Sequence, residues 1–562
     1  MATVLLQGCV VTPPVATPEA VEPAPAAQAE PEAKVVPLDE ELIYDFLLAD
    51  IASRRGFVDE SMQAILRMAE RTRDVPLVAR SFRQALRMGD GELAERMALL
   101  LREIDDSIQS AFALAQAYML QERQEDALQL LEQMLIDWPD ARDRLFNSIA
   151  EMFAGRKDAA DFLPRLEALA NQYPDERHGY YALSYLANRA NNAEVFDRAI
   201  TRTLELDPQW EQAALVKFVR LVRNADADRV QAFADSFLEG NSSAWQLMER
   251  YARYLAGLQE MQKSYQVFAR LVRGQPQNSE ALLAAALVSM ELKKNSRARR
   301  LFMKHLEMNP ANDQTRMYLG QVAARRKMWR EAIDWYLSIH DDNLYFEAQI
   351  RVSSALLETD GGDAALEHLY ELIPASLNEE VRLYLAQESV LREMDRLDDA
   401  WKLLGAAVQE VPDNSELLYA RGLLAAELHY LEEHEADIRR VLELEPENAH
   451  AYNALGYTLA DQTNRYQEAL ELISRALDLA PNDPFILDSM GWVQFRLGDL
   501  DKAESFLRRA LDIRKDAEIA AHLGEVLWVS GRQPEANEVW QGGLKVDPDN
   551  RTLKKTLERL RQ

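Results

Sequence analysis

The sequence contains one cysteine, Cys9, in 562 residues, so an internal disulfide and a thiolate zinc cluster are both excluded. Glycine is scarce, with 21 residues or about half the usual share, which argues against hairpin-rich sheets and glycine-built phosphate loops. No stretch approaches the roughly 20 apolar residues of a membrane-spanning helix. Positive charge is also short: 64 basic residues face 93 acidic ones, a net charge of −29 that repels phosphate backbones and argues against nucleic acid as a partner. The 8 histidines are scattered, and His429 and His434 stand five apart rather than at the i, i+4 spacing of HExxH. GxSxG, Walker and GxGxxG motifs are missing, and the many carboxylate pairs read as solvated helix surface. The chain is therefore expected to be noncatalytic, with no cofactor and no metal.

What is present in quantity is Leu, Ala, Glu and Arg, all good helix formers, which predicts an all-α protein. A strict period runs through it. Prolines stand at Pro139, Pro174, Pro208, Pro276, Pro310, Pro412, Pro446, Pro481 and Pro548, each within a residue of a multiple of 34 from the next. The segment Ala517 to Asn550 shows the unit: Leu523, Gly524 and Leu527 on a first helix, a break at Gly531, then Ala536, Trp540 and Leu544 on a second. Gly456, Gly491 and Gly524 are expected where paired helices approach most closely. Ala127, Ala332, Ala400, Ala469, Ala503 and Ala536 are expected opposite them. Phe268, Phe302, Tyr336 and Trp540 are expected to fill the wedge between neighbouring pairs. One such pair cannot bury its apolar face alone, whereas stacked pairs share a continuous core.

This pattern resembles the tetratricopeptide repeat family, which implies a right-handed solenoid of antiparallel helix pairs. The expected organisation is a tether over 1–37, a helical region over 38–105 (worn repeats or a separate cap), and an array over 106–548. A closing helix follows over 549–562. The array counts about thirteen units, of which those at 140–174, 209–242 and 343–379 are degenerate.

In the family, positions 2, 5, 9, 12 and 13 of each unit face a concave groove. Carried over, these are His178, Tyr181, Tyr185 and Arg189 in one unit, and Asn453, Tyr457, Phe485, Asp488, Trp492, Phe495, Arg496 and Trp528 near the carboxyl end. Aromatic and polar side chains so mixed suit an extended peptide or a partner's helix, although any one ring could instead pack between helices. A positive island interrupts the acidic chain from Lys293 to Arg330 and includes Arg297, Arg299, Arg300, Lys304, Arg325, Arg326, Lys327 and Arg330. It reads either as a solvated face or as a docking patch for an acidic partner.

The amino end reads TVLLQGC. It resembles the end of a bacterial lipoprotein signal, in which the cysteine sulfur carries a diacylglycerol, with Gln7 where a smaller residue is commoner. The apolar run is too short for a complete signal, so an upstream part is expected to be absent from this sequence. The alternative is a chance cysteine in a loose end. Val10 to Pro37 has seven prolines, no aromatic residue and no helical period, and as a coil would reach about 30 Å. Lipidation at Cys9 and the lack of an aspartate after it imply the periplasmic face of the outer membrane.

Taken whole, the chain is similar to tetratricopeptide lipoproteins that partner a periplasmic carboxyl-terminal processing protease. That likeness rests on the TVLLQGC start, the Ala/Pro/Glu tether and the array length. It implies an adaptor that binds the serine protease and its substrates, the peptidoglycan cross-link hydrolases. The alternative is an assembly factor, pilotin-like, for a secretin, pilus or polysaccharide-export machine.

Overall fold

The computed structural model describes residues 37–154 and 159–560; Cys9 and the stretch through residue 36 lie outside them. Among the described residues there are 31 α-helices and no strand. The helices run in tandem from Glu40–Arg55 to Arg551–Leu560. The region 38–105 holds four of them: Glu40–Arg55, Val58–Thr72, Val75–Met88 and Gly91–Ile104.

The proline period has a local cause. In the turn between successive pairs, proline ends the second helix, and an Asn or Asp two residues later caps the next first helix. Asn312 accepts from Thr315 N at 2.8 Å, Asn414 from Leu417 N at 2.9 Å, and Asn448 from Ala451 N at 2.9 Å. Each cap satisfies one backbone donor that the helix cannot, and is worth roughly 1 kcal/mol. The turn inside each pair has a clock of its own. Gln259, Lys293, Lys327, Gly361, Asp395 and His429, 34 residues apart, all take positive φ, which reverses the chain within three residues.

Packing within a pair follows the small residues. Ala127, Ala332, Ala400, Ala469, Ala503 and Ala536 are all fully buried. The glycines of the first helices meet a large residue of the second: Gly320 lies against Tyr336, Gly422 against Ile438, Gly456 against Ile473, Gly491 against Leu507 and Gly524 against Trp540. A methyl on Gly456 would come within 2.6 Å of Ile473. Tyr336 and Trp540 thus seat directly on the glycine of their own pair.

The chain forms two compact units, divided after Val288. In the first, Leu131, Met134, Phe146, Phe153 and Phe196 anchor a core that runs through successive pairs. In the second, a continuous core extends from Phe346 to Val493, and a terminal one gathers around Trp540 and Leu553. Ion pairs between successive repeats stitch the outside. Arg299 reaches Glu331 at 2.6 Å, Arg439 reaches Glu468 at 2.6 Å, and Arg532 reaches Glu504 at 2.7 Å. Arg465, hydrogen-bonded to Glu435 and assisted by Arg439, pulls that carboxyl down to about 2.

Candidate protein-binding surfaces

His178, Tyr181, Tyr185 and Arg189 share the helix Arg177–Arg189, with only Arg189 of the four fully exposed. Trp210, which the sequence pattern does not single out, organises them. Its ring lies 4.9 Å from His178 and 4.7 Å from Tyr181, and the Arg177 guanidinium sits over it at 4.9 Å. His178 Nδ1 is 2.8 Å from Glu176, and Arg189 lies over Tyr185 at 5.9 Å. Burial raises the Tyr181 hydroxyl above its ordinary range, so it stays a neutral donor. The result is an aromatic wall with a basic rim.

Near the carboxyl end, three first helices, Ala449–Gln462, Pro484–Arg496 and Ala517–Val529, bring the remaining residues together around His522. His522 Nδ1 lies 2.9 and 3.0 Å from the two Asp488 oxygens, and its ring stacks on Trp492 at 4.4 Å. Trp492 Nε1 donates to Asp461 at 3.3 Å, and Phe495 lies 5.2 Å from the indole. Asp488 and Trp492 are thereby buried, their polar atoms occupied by this chain. Tyr457 lies 6.1 Å from His522, and burial pushes its hydroxyl well above the ordinary value. Arg496 donates to the Asp461 carbonyl at 3.0 Å and to the Tyr466 hydroxyl at 2.7 Å.

Open positions remain along this wall. Phe485 is 43% exposed, with the Arg514 guanidinium 4.9 Å over its ring. Trp528 is half-buried beside Trp540 at 5.5 Å. Asn453 Oδ1 is buried and accepts no hydrogen bond among the described residues. Glu518 and Glu525 flank His522; burial raises Glu518, while Arg559 of the last helix donates to Glu525 at 2.5 Å. Burial alone would depress the imidazole, but Asp488, with Glu518 and Glu525 behind it, raises it to about 9. The ring is thus held by Asp488 of the preceding repeat, with Glu518 and Glu525 of its own helix behind it.

The positive island divides by use. Arg299 and Arg330 pair with Glu331 and Asp360, and Arg325 donates to the Met290 carbonyl at 3.0 Å. Arg297 and Lys304 are half-buried along the helix Asn295–Met308, while Arg300, Arg326 and Lys327 are exposed. His434 Nδ1 bonds the Gly422 carbonyl at 2.8 Å between the two helices of its pair, and His429 Nδ1 bonds Gln462 at 2.9 Å, so these two histidines engage different partners. No group of three or more His, Cys, Asp or Glu is placed to hold a metal among the described residues. No described helix is long and apolar enough to cross a membrane.

One surface has no counterpart in the motif reading. The first helix, Glu40–Arg55, leaves Ile43, Tyr44, Phe46, Leu47 and Ile51 exposed, with Phe57 beside its end. Phe46 is 64% exposed. An apolar strip of this kind is a candidate docking face.

A tetratricopeptide repeat model matches residues 447–516. Over 530 residues the chain is 32% identical to the TPR repeat-containing protein PA4667 of Pseudomonas aeruginosa, covering 93% of this chain and 89% of that one. The chain belongs to the tetratricopeptide repeat family. Among solved structures it is similar to the Cut9–Hcn1 assembly (14% identity, 79% of this chain and 95% of that one, TM-score 0.32). It is also similar to a repeat protein of Thermus thermophilus (24% identity, 32% and 98%, TM-score 0.30). As a tetratricopeptide repeat protein it presents surfaces for protein partners.

Proposed function

We propose that the chain is a noncatalytic adaptor that binds a periplasmic carboxyl-terminal processing protease and its peptidoglycan hydrolase substrates, and so promotes their cleavage. A lipid on Cys9 would hold it to the periplasmic face of the outer membrane. The observation that supports this reading is the separation of holding surfaces. The apolar strip on Glu40–Arg55 and the Trp210 wall belong to the first unit, and the wall of Phe485, Asn453 and Trp528 belongs to the second. Two surfaces let two partners bind at once. Tethering them turns a bimolecular encounter into an intramolecular one, with effective concentrations in the millimolar range and no new chemistry.

Purified chain, protease and hydrolase should then co-elute as one ternary species. Phe46→Glu with Leu47→Glu, both solvent-facing, should leave the fold intact and weaken binding of one partner by roughly tenfold or more, each side chain forfeiting buried apolar area. Capture of a secretin or other outer-membrane barrel, with no affinity for either enzyme, would replace the adaptor reading with the assembly-factor one.

A further inference from the structure

The turns at Met290–Lys294 and Arg325–Trp329 lie in the second unit, on the same edge of two successive pairs. Arg325 ties them by donating to the Met290 carbonyl at 3.0 Å. Residues 290–300 and 324–331 together hold nine cations against two anions, Glu291 and Glu331, and Glu331 is already paired with Arg299. Lys293, Arg326 and Lys327 are exposed at the turn tips, with no carboxylate within ion-pair distance among the described residues. Beside them Met328 is 39% exposed, and Trp329 is only half-covered by the core of its own repeat.

The backbone sharpens the point. Lys293 and Lys327 take φ of 55° and 57°, the left-handed position where a side chain is costly and glycine is free. Gly361, Gly498 and Gly531 stand at the matching points of some repeats, and Gln259, Asp395 and His429 at those of others. In the two cationic turns a lysine occupies that strained place and faces solvent.

We infer that this edge is a docking site for an anionic phospholipid surface. Such a surface offers phosphates to the lysine and arginine tips and, just beneath, an apolar layer for Met328 and the free edge of Trp329. The remaining negative charge of the chain is screened beyond about 8 Å at physiological salt, so the local excess of cations governs the approach. Lipidation of Cys9 is not needed for this contact, and its failure would leave the adaptor reading untouched.

The test uses the full unacylated chain and sedimentation with vesicles. One set contains about one-third phosphatidylglycerol in phosphatidylcholine; the other is phosphatidylcholine alone. The chain should bind the first set, ignore the second, and dissociate as salt is raised. Lys293→Gly with Lys327→Gly should melt at the same or a higher temperature, since both positions favour glycine. Each lost cation should cost roughly fivefold in partitioning, so the double variant should bind about twenty-five-fold more weakly. Equal binding to both vesicle sets, no binding to either, or full binding by the double variant overturns the inference. So does lysine-dependent binding to polyglutamate without binding to vesicles, which would make the edge a patch for an acidic protein.

Discussion

Trp540→Ala is expected to cost about 3–5 kcal/mol and to loosen the carboxyl-terminal repeats while the rest of the chain stays folded. Trp540 is fully buried; it fills the space between Gly524 and the terminal core with Leu523, Leu527 and Leu553, and its Nε1 donates to the Ala521 carbonyl at 3.2 Å. Removing it opens a cavity and takes away the second donor on that helix carbonyl. Gly524→Ala strikes the same contact from the other side, because a methyl there falls on the indole. It should cost about 1–3 kcal/mol through overpacking. The two positions are coupled: Gly524→Ala combined with Trp540→Leu should cost less than the sum of the single changes. Leucine is what Gly491 meets one repeat earlier, in Leu507. Hydrogen exchange over 517–560 reads the effect. Unchanged protection there in Trp540→Ala contradicts the shared-core account.

His522→Leu should destabilise the same end by about 3–5 kcal/mol, because it leaves Asp488 charged, buried and without its partner. Replacing both by leucine should recover most of that loss, since a well-packed apolar pair avoids the desolvation of two ions. The pH dependence has a definite sign. The imidazole is raised from 6.5 to about 9 in the folded chain, so folding favours the protonated form. Its contribution, about 3 kcal/mol, is complete below about pH 6.5 and fades as pH rises through about 9. In His522→Leu that alkaline loss over 484–560 should vanish. An equal loss in wild type and variant would assign the alkaline weakening to other groups.

The repeat period was legible because its causes are local. Proline stops a helix, asparagine caps the next, and glycine admits Tyr336 or Trp540; each needs only its own 34 residues. Groove membership was harder to read, because it depends on the neighbouring repeat. Asp488 and Trp492 sit at groove positions in the family pattern, yet His522, 34 residues on, engages both. Trp210 escaped notice for a related reason: it stands in a turn, outside the helix positions that define the motif, and acts on Tyr181 of the preceding unit. The positive island divides in the same way, since Arg299 and Arg330 meet acids about one repeat ahead. The exposed strip on Glu40–Arg55 has ordinary helical periodicity; only the absence of a covering helix over Phe46 among the described residues distinguishes it from core.

In the proposed function this chain works by holding two other proteins together. The most direct measurement is the initial rate at which the protease cleaves a purified hydrolase as the chain is titrated. Templating predicts acceleration by about tenfold or more, a maximum near equivalence with the protease, and a decline at excess as the two enzymes bind separate copies. A rate unchanged at every concentration, or cleavage by the chain with no protease added, would contradict it.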